Sequence, residues 1–269
     1  MSFFKKMLAK VGIGNIEVDS RLHTEQFIPG EAVEGVVYAK GGSVEQKVDQ
    51  LYFALMTRYV KPEERIHNGH REIEYVHETV TIANFVLGES LVFAPGEEIE
   101  IPFHFILPHD VPISIGQSEI WIHTGMDVDN AIDPTDTDHV EILPHPYTST
   151  IFEALGTLGF RIQEAENEYY PHRDHHVPFV QKFDFVPTLR SPYHASVEEL
   201  EFVFFPNEHG IEMMMEFDRK ARGLSGLFAE LQDTDETCGH LSFGQEELEE
   251  GSDAIAERLA EVFDRLLEG

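Results

Sequence analysis

An acidic stretch over residues 127–143 is the part of the chain best suited to chemistry. Its polar members are Asp127, Asp129, Asp133, Asp136, Asp138, His139 and Glu141. Calcium and magnesium take carboxylate oxygens as ligands, so one hypothesis is a hard-cation site. The spacing does not match the EF-hand pattern, which needs glycine where this chain has Ile132. Three interpretations therefore stay open: a structured hinge, a cation site and a solvated acidic loop.

We favour the hinge, because segments with strand-like alternation lie on both sides of the stretch. The predicted hinge residues are Asp127, Asp129, Asp133, Asp136, Asp138 and His139. Carboxylates drawn together against their mutual repulsion need donors nearby. The hinge hypothesis therefore predicts backbone amides, arginine or histidine around these side chains.

The histidines and the single cysteine offer a second, weaker chemistry. His172, His175 and His176 form the densest histidine group, and imidazole suits zinc or nickel. Cys238 stands two residues before His240, on the same face if the segment is a strand. We interpret the histidines as a polar loop and the cysteine as a structural thiol. The alternative is a metal-dependent hydrolase that uses residues 127–139 or the 172–176 histidines.

Sequence motifs of the common enzyme classes are missing. The chain has no Gly-x-Ser-x-Gly elbow, no Walker loop, no Gly-x-Gly-x-x-Gly and no His-Glu-x-x-His. The segment 223–226, Gly-Leu-Ser-Gly, lacks the spacing of a nucleophile elbow. We therefore predict a protein that is not an enzyme and has no cofactor, no catalytic residue and no metal.

The net charge of the chain narrows the class of molecule that it is expected to bind. The chain has 50 acidic and 19 basic residues and a formal net charge of −31. Such a surface repels nucleic acids and anionic membranes and favours solubility. No secretory leader and no long apolar span are evident in the sequence. We expect a cytoplasmic protein that binds other cytoplasmic proteins, without nucleic acid and without stable membrane insertion.

Residues 1–13 are predicted to form an amphipathic helix that carries the one basic patch. Its apolar stripe is Phe3, Phe4, Met7, Leu8 and Val11. A lone helix of this length is marginal in water, so the stripe must dock on something. The hypotheses are docking on the same chain, docking on a second copy in a homodimer, and peripheral binding to a membrane. We favour docking on protein.

The remaining pattern predicts an all-β protein of two sandwiches. The predicted ranges are 14–130 for the first domain, 131–244 for the second and 245–269 for an acidic C-terminal helix. Predicted strands lie near 45–60, 72–87, 99–107, 117–125, 159–165, 178–186, 197–205 and 211–218. Pro102 predicts an edge strand or a bulge, Met213 and Met215 predict core positions, and the periodicity of 148–158 predicts a short helix.

Several motifs carry a resemblance to a known family. They are Phe-Ile-Pro-Gly-Glu-Ala-Val-Glu-Gly-Val-Val at 27–37, the Pro-Gly to Leu-Pro segment 93–108, Ala-Ile-Asp-Pro-Thr-Asp-Thr-Asp at 131–138, Ala-Leu-Gly-Thr-Leu-Gly-Phe at 154–160, Pro-Phe-Val-Gln at 178–181, and Asp-Arg at 218–219 ahead of Arg-Gly at 222–223. The first two resemble the N-terminal domain of arrestin-like proteins. The set as a whole is similar to bacterial sporulation-control proteins.

The resemblance implies two arrestin-like β-sandwich domains joined by a short acidic hinge. It also implies a non-enzymatic regulator of sporulation or cell-stage progression that acts through protein–protein binding. Arrestins have a buried ionic cluster between their domains, and the acidic stretch lies at the corresponding place in the sequence. The resemblance does not assign individual residues to that cluster.

Overall fold

The computed structural model describes residues 15–67, 70–129, 131–171, 176–218 and 238–268. Strands make up 58% of the structure and helices 15%, so the prediction of a β fold is confirmed. No helix in these ranges is long and apolar enough to cross a membrane.

The strands and helices of the described ranges follow one another in this order: β1 Glu17–Leu22, β2 Gln26–Phe27, β3 Ala32–Lys40, β4 Gln46–His67, β5 His70–Phe93, β6 Glu98–Ile106, β7 Ile120–Val128, β8 Thr135–Ile142, α1 Pro146–Thr157, β9 Phe160–Tyr169, β10 Phe179–Pro187, β11 Glu199–Asn207, β12 Gly210–Asp218, β13 Cys238–Gly244, α2 Gln245–Glu249 and α3 Ser252–Glu268.

The chain folds into two compact units, neither of which is continuous in sequence. The described part of unit 1 consists of 15–57, 79–108, 119–129 and 131–142. The described part of unit 2 consists of 58–67, 70–78, 109–118, 143–171, 176–218 and 238–268. The long strands β4 and β5 each supply residues to both units, so the units differ from the continuous ranges that the sequence pattern predicts.

Unit 1 contains two sheets that face each other. One has the antiparallel order β1-β3-β6. In the other, β4 pairs with β7 and β7 with β8, both antiparallel, and β2 pairs with β8 in parallel. The ring of Phe53 on β4 meets the edge of Phe103 on β6 at 4.3 Å between centroids, and Phe85 stacks on Phe105 at 4.0 Å. Aromatic side chains therefore fill the space between the two sheets.

The sheet β1-β3-β6 explains the residue types found at Gly35 and Pro102. A Cβ atom on Gly35 would lie 2.5 Å from both the Phe103 ring and the Arg21 carbonyl oxygen, so only glycine fits there. Pro102 lies on β6, which ends the order β1-β3-β6 among the described strands. The prediction of an edge strand at this proline is confirmed.

Unit 2 is built on the antiparallel strands β9 to β13 and on two longer helices. Phe152 of α1 contacts the rings of Phe183, Phe185 and Phe204 at 5.3 to 5.7 Å between centroids. Phe263 of α3 meets Phe160 at 5.8 Å. Because these residues alternate along their strands, one face of the sheet is apolar and covered by helix.

Two of the predicted helices are present, and the helix predicted over residues 1–13 lies outside the described residues. The helix predicted over 148–158 is α1, and Gly159 follows it with a φ of +82°, a conformation that favours glycine. The predicted C-terminal helix consists of α2 and α3. Its buried stripe is Ile255, Ala256, Leu259 and Phe263, whereas Val262 and Leu266 are half-buried. Met213 and Met215 are buried, so their prediction as core residues is confirmed.

Candidate functional site

The acidic stretch forms most of a β-hairpin inside unit 1. Asp127 lies near the end of β7, Asp129 lies in the turn, and Asp136, Asp138 and His139 lie on β8. The strands β7 and β8 pair from Ile120 with Val140 to Gly125 with Thr135. The predicted boundary between 130 and 131 therefore falls inside this hairpin, and unit 2 resumes at Leu143.

Two of the six predicted hinge residues converge on one serine. The amide of Ser20 donates to Asp136 Oδ2 at 2.8 Å. The hydroxyl of Ser20 lies 2.5 Å from Asp138 Oδ2 and 3.1 Å from Asp136 Oδ2. Thr124, which is fully buried, donates its hydroxyl hydrogen to Ser20 Oγ at 2.9 Å. We call Ser20, Thr124, Asp136 and Asp138 the serine–aspartate cluster.

Ser20 supplies donors to both carboxylates. Its hydroxyl donates to Asp138 Oδ2 at 2.5 Å, the shorter of its two carboxylate contacts, and its amide donates to Asp136 Oδ2. Burial raises the pKa of Asp138, the hydrogen bond from Ser20 acts against this, and the charge of Asp136 adds to it.

The other predicted hinge residues lie outside the cluster. Asp133 accepts a hydrogen bond from the Val128 amide at 2.8 Å, which closes the turn. Asp127, Asp129 and His139 are exposed. The expected amide donors are therefore present for Asp133 and Asp136, and a serine supplies the remaining donor. The role of these residues as a hinge stays a prediction.

The predicted metal alternatives gain no support from the described residues. Within those ranges no group of three or more His, Cys, Asp or Glu side chains is arranged to hold a metal ion. His176 pairs with Asp110 at 3.4 Å. His172 and His175, the side chain of Cys238 and the docking residues Phe3, Phe4, Met7, Leu8 and Val11 lie outside the described part of the chain.

Unit 2 contains a buried polar cluster that sequence reasoning missed. The ammonium nitrogen of Lys182 lies 2.9 Å from Glu168 Oε1, 3.4 Å from Asp184 Oδ1 and 3.4 Å from Glu201 Oε1. Lys182 is 8% exposed, Asp184 7% and Glu201 2%. We call these four residues the lysine–carboxylate cluster. Its signal in the sequence is the alternation of Lys182 and Asp184 with Phe183 and Phe185, which gives β10 one apolar and one charged face.

Burial dominates the electrostatics of this cluster. It raises the pKa of Glu201 to about 8 and that of Asp184 to about 6, although the Lys182 charge acts against both shifts. Burial acts to lower the pKa of Lys182, but the three surrounding carboxylates outweigh it and raise that pKa above its ordinary value. The ammonium therefore stays charged, and the carboxyls share the cost of being buried together.

The end of the β4–β5 hairpin, which belongs to unit 2, exposes large apolar side chains. Ile66 is 74% exposed, Ile73 63% and Tyr75 72%. Ile66 shares a strand face with Glu64, and Ile73 and Tyr75 share one with Arg71. Arg71 lies 3.8 Å from Glu64, so all three apolar residues belong to the same face of the hairpin. We call Ile66, Ile73 and Tyr75 the hairpin apolar face.

The geometry defines a class of protein before any comparison: a β-sheet protein of two units, with internal polar clusters and an exposed apolar hairpin. The chain belongs to the SpoOM protein family, whose sequence profile matches residues 4–221.

A sporulation-control protein of Bacillus subtilis (strain 168), Spo0M, is 38% identical to the chain over 270 residues and aligns over 100% of both proteins. The crystal structure of the sporulation control protein from Bacillus subtilis matches with a TM-score of 0.79 at 35% identity, covering 94% of this chain and 100% of that one. The resemblance to sporulation-control proteins is confirmed.

Proposed function

We propose that this chain is a regulatory protein that controls sporulation by binding other proteins, without catalysis. The observation that carries the proposal is the full-length similarity to the sporulation-control protein of Bacillus subtilis, which is 38% identical and aligned over 100% of both chains. Similarity over the whole length means that both units, and not one shared module, are retained together. Function on a shared fold is carried by surface sites, so the proposal needs a binding surface.

The binding surface we propose is the hairpin apolar face. Single exposed apolar residues are ordinary, but a group of large ones on one face marks an interaction site. Arg71 pairs with Glu64 at 3.8 Å on this face, and Arg65 of β4 pairs with Glu74 of β5 at 3.0 Å on the opposite face, so ion pairs join the two strands on both faces. A partner with an apolar stripe would bury Ile66, Ile73 and Tyr75 and gain free energy in proportion to the area covered.

For the fold we propose the arrestin-like arrangement of two β-sandwich domains, with the acidic stretch, which ends where unit 2 resumes at Leu143, as a hinge. What supports the hinge is that its carboxylates have internal partners. Asp136 and Asp138 face Ser20, and Asp133 accepts from the Val128 amide. Carboxylates engaged in this way hold backbone geometry and offer few free oxygens to a ligand.

For residues 1–13 we propose docking on protein through Phe3, Phe4, Met7, Leu8 and Val11, with a homodimer as one outcome. The support is the sequence alone: an apolar stripe beside three lysines, in a chain of net charge −31. We place the protein and its partners in the cytoplasm. Binding of this segment to vesicles of anionic lipid, measured by flotation, would instead favour the peripheral membrane alternative.

Replacement of the relative in its own host tests the regulatory role. The chain would be expressed in Bacillus subtilis lacking its sporulation-control protein, and spore formation would be counted against strains with the native protein and with an empty locus. We expect the chain to restore the native sporulation frequency, at least in part. Spore counts equal to those of the empty locus, with the protein present at native levels, would contradict the proposal.

A further inference from the structure

Three buried carboxylates stand in a row across the sheet of unit 2. In the strand register Asp184 of β10 lies opposite Glu201 of β11, and Glu201 lies opposite Glu216 of β12. They are 7%, 2% and 2% exposed. Side chains directly opposite each other on antiparallel strands have Cβ atoms about 4.5–5.5 Å apart, and like charges there destabilise the pairing. We call Asp184, Glu201 and Glu216 the carboxylate ladder.

Among the described residues, the ammonium of Lys182 is the positive charge that acts on Asp184 and Glu201. The closest partner of that ammonium is Glu168, at 2.9 Å, which is not a member of the ladder. The other titratable groups that face this region from the described strands are Glu164 and Glu166 on β9, Glu199 on β11 and His77 on β5. With every carboxylate ionised, Asp184, Glu201 and Glu168 would set three negative charges around the one ammonium of Lys182.

Missing hydrogen bonds also favour a proton on the carboxylate ladder. Asp184 Oδ1 and Glu201 Oε2 are buried without a hydrogen-bond partner, and the 3.4 Å ion pair between Lys182 and Asp184 Oδ1 does not have hydrogen-bond geometry. A buried carboxylate oxygen without a donor costs about 1–3 kcal/mol, and more when charged. A proton placed between facing carboxyls would supply the missing donor and remove one charge.

We propose that the carboxylate ladder is a pH-sensitive latch on the pairing of β10, β11 and β12, closed by a proton held on Glu201 and weakened when that proton leaves. Repulsion between ionised Asp184, Glu201 and Glu216 acts along the direction of the interstrand hydrogen bonds. Loss of the proton therefore weakens the pairing of these strands. The latch adds a regulatory device to the binding function proposed above and does not depend on it.

The direction of the pH effect follows from the raised pKa. The pKa of Glu201 rises from the model-compound value of 4.5 to about 8 in the folded protein, so the paired state binds the proton more tightly than the opened state does. The opened state gains as pH rises above 4.5, and the gain levels off once pH passes about 8. Between about pH 6 and about pH 8 the opening equilibrium should rise by up to tenfold per pH unit, or about fiftyfold in all, because the folded group is already half ionised at about pH 8.

Amide hydrogen exchange of the full chain tests the latch. Protection factors, corrected for the intrinsic pH dependence of exchange, would be measured at about pH 6 and about pH 8 for Phe202 and Met215, with Ile122 of unit 1 as the internal control. We expect protection at Phe202 and Met215 to fall by at least tenfold while that of Ile122 stays constant. Glu201→Gln should remove this fall, and Glu198→Gln, at an exposed position beside the sheet, should leave it intact.

Two results would overturn the proposal: protection in the native chain that does not change over this pH range, or an unchanged pH dependence in Glu201→Gln. If that variant does not fold, carbon-13 titration of side-chain carboxyls in the native chain decides. One glutamate carboxyl that titrates near pH 8 supports the latch. Titration of every described glutamate below about pH 6 contradicts it.

Discussion

Replacing Lys182 by methionine removes the ammonium of the lysine–carboxylate cluster and keeps the length of the side chain. The ammonium is within 3.4 Å of three carboxylates and the residue is 8% exposed. Removing one partner of a buried ion pair costs about 3–5 kcal/mol, since the remaining charges stay buried without compensation. We expect Lys182→Met to lower the free energy of unfolding by about that amount near pH 7.

The loss of unfolding free energy in Lys182→Met should also depend on pH. The pKa of Lys182 is raised in the folded protein, so its contribution is fully present below the model-compound value of 10.5. Lys182 also acts to lower the pKa values of Asp184 and Glu201, so those values rise further in the variant. The destabilisation should therefore shrink as pH falls towards about 5, because protonated carboxyls no longer need the ammonium.

Urea unfolding at about pH 7 and about pH 5 measures both effects, with Lys61→Met as the matched control. Lys61 pairs with Glu78 at 3.2 Å, but the two side chains are 31% and 39% exposed, and solvent-screened pairs of that kind contribute little to stability. A loss in Lys182→Met no larger than that in Lys61→Met would refute the reasoning. So would a loss that is the same at both pH values.

Two further predictions concern the stretches singled out by sequence. Replacing Asp133, Asp136 and Asp138 together by asparagine should lower the midpoint of thermal unfolding or change the small-angle scattering profile; if both stay unchanged, the stretch is a plain loop. Removing residues 1 to 12 should shift the protein towards monomer in analytical ultracentrifugation at about micromolar concentration, the range in which a dimer of moderate affinity dissociates. A full-length chain that is already monomeric at that concentration contradicts the homodimer in which residues 1–13 dock on a second copy.

The regular elements could be read from the sequence because their apolar spacing is regular. The helices over 146–157 and 252–268 and the alternating strand over 98–106 all lie close to their predicted places. The strands β4 and β5 are longer than the predicted 45–60 and 72–87. The sequence pattern missed the ends that meet in the β4–β5 hairpin because those ends are rich in charged residues. Such residues have low β-propensity, and here cross-strand ion pairs compensate for it.

The polar clusters could be predicted only in part. The acidic stretch was found, but Asp136 and Asp138 were not recognised as alternating residues of a strand, because aspartate is rare in strands. Their partner Ser20 lies more than a hundred residues earlier, and one sequence does not reveal that contact. The lysine–carboxylate cluster was missed for a related reason: Lys182, Asp184 and Glu201 resemble exposed positions of their strands, and only the fold shows that this face is buried.

Loss of partner binding on altering the hairpin apolar face tests the central claim most directly. The native chain, Ile73→Ser/Tyr75→Ser and the control Val86→Ser/Val92→Ser would each be cross-linked in sporulating Bacillus subtilis, and the captured proteins quantified. The control residues are also exposed, at 52% and 56%, but lie in unit 1. The account predicts that a protein captured by the native chain and by the control is lost with the hairpin variant. Equal capture by all three would contradict it.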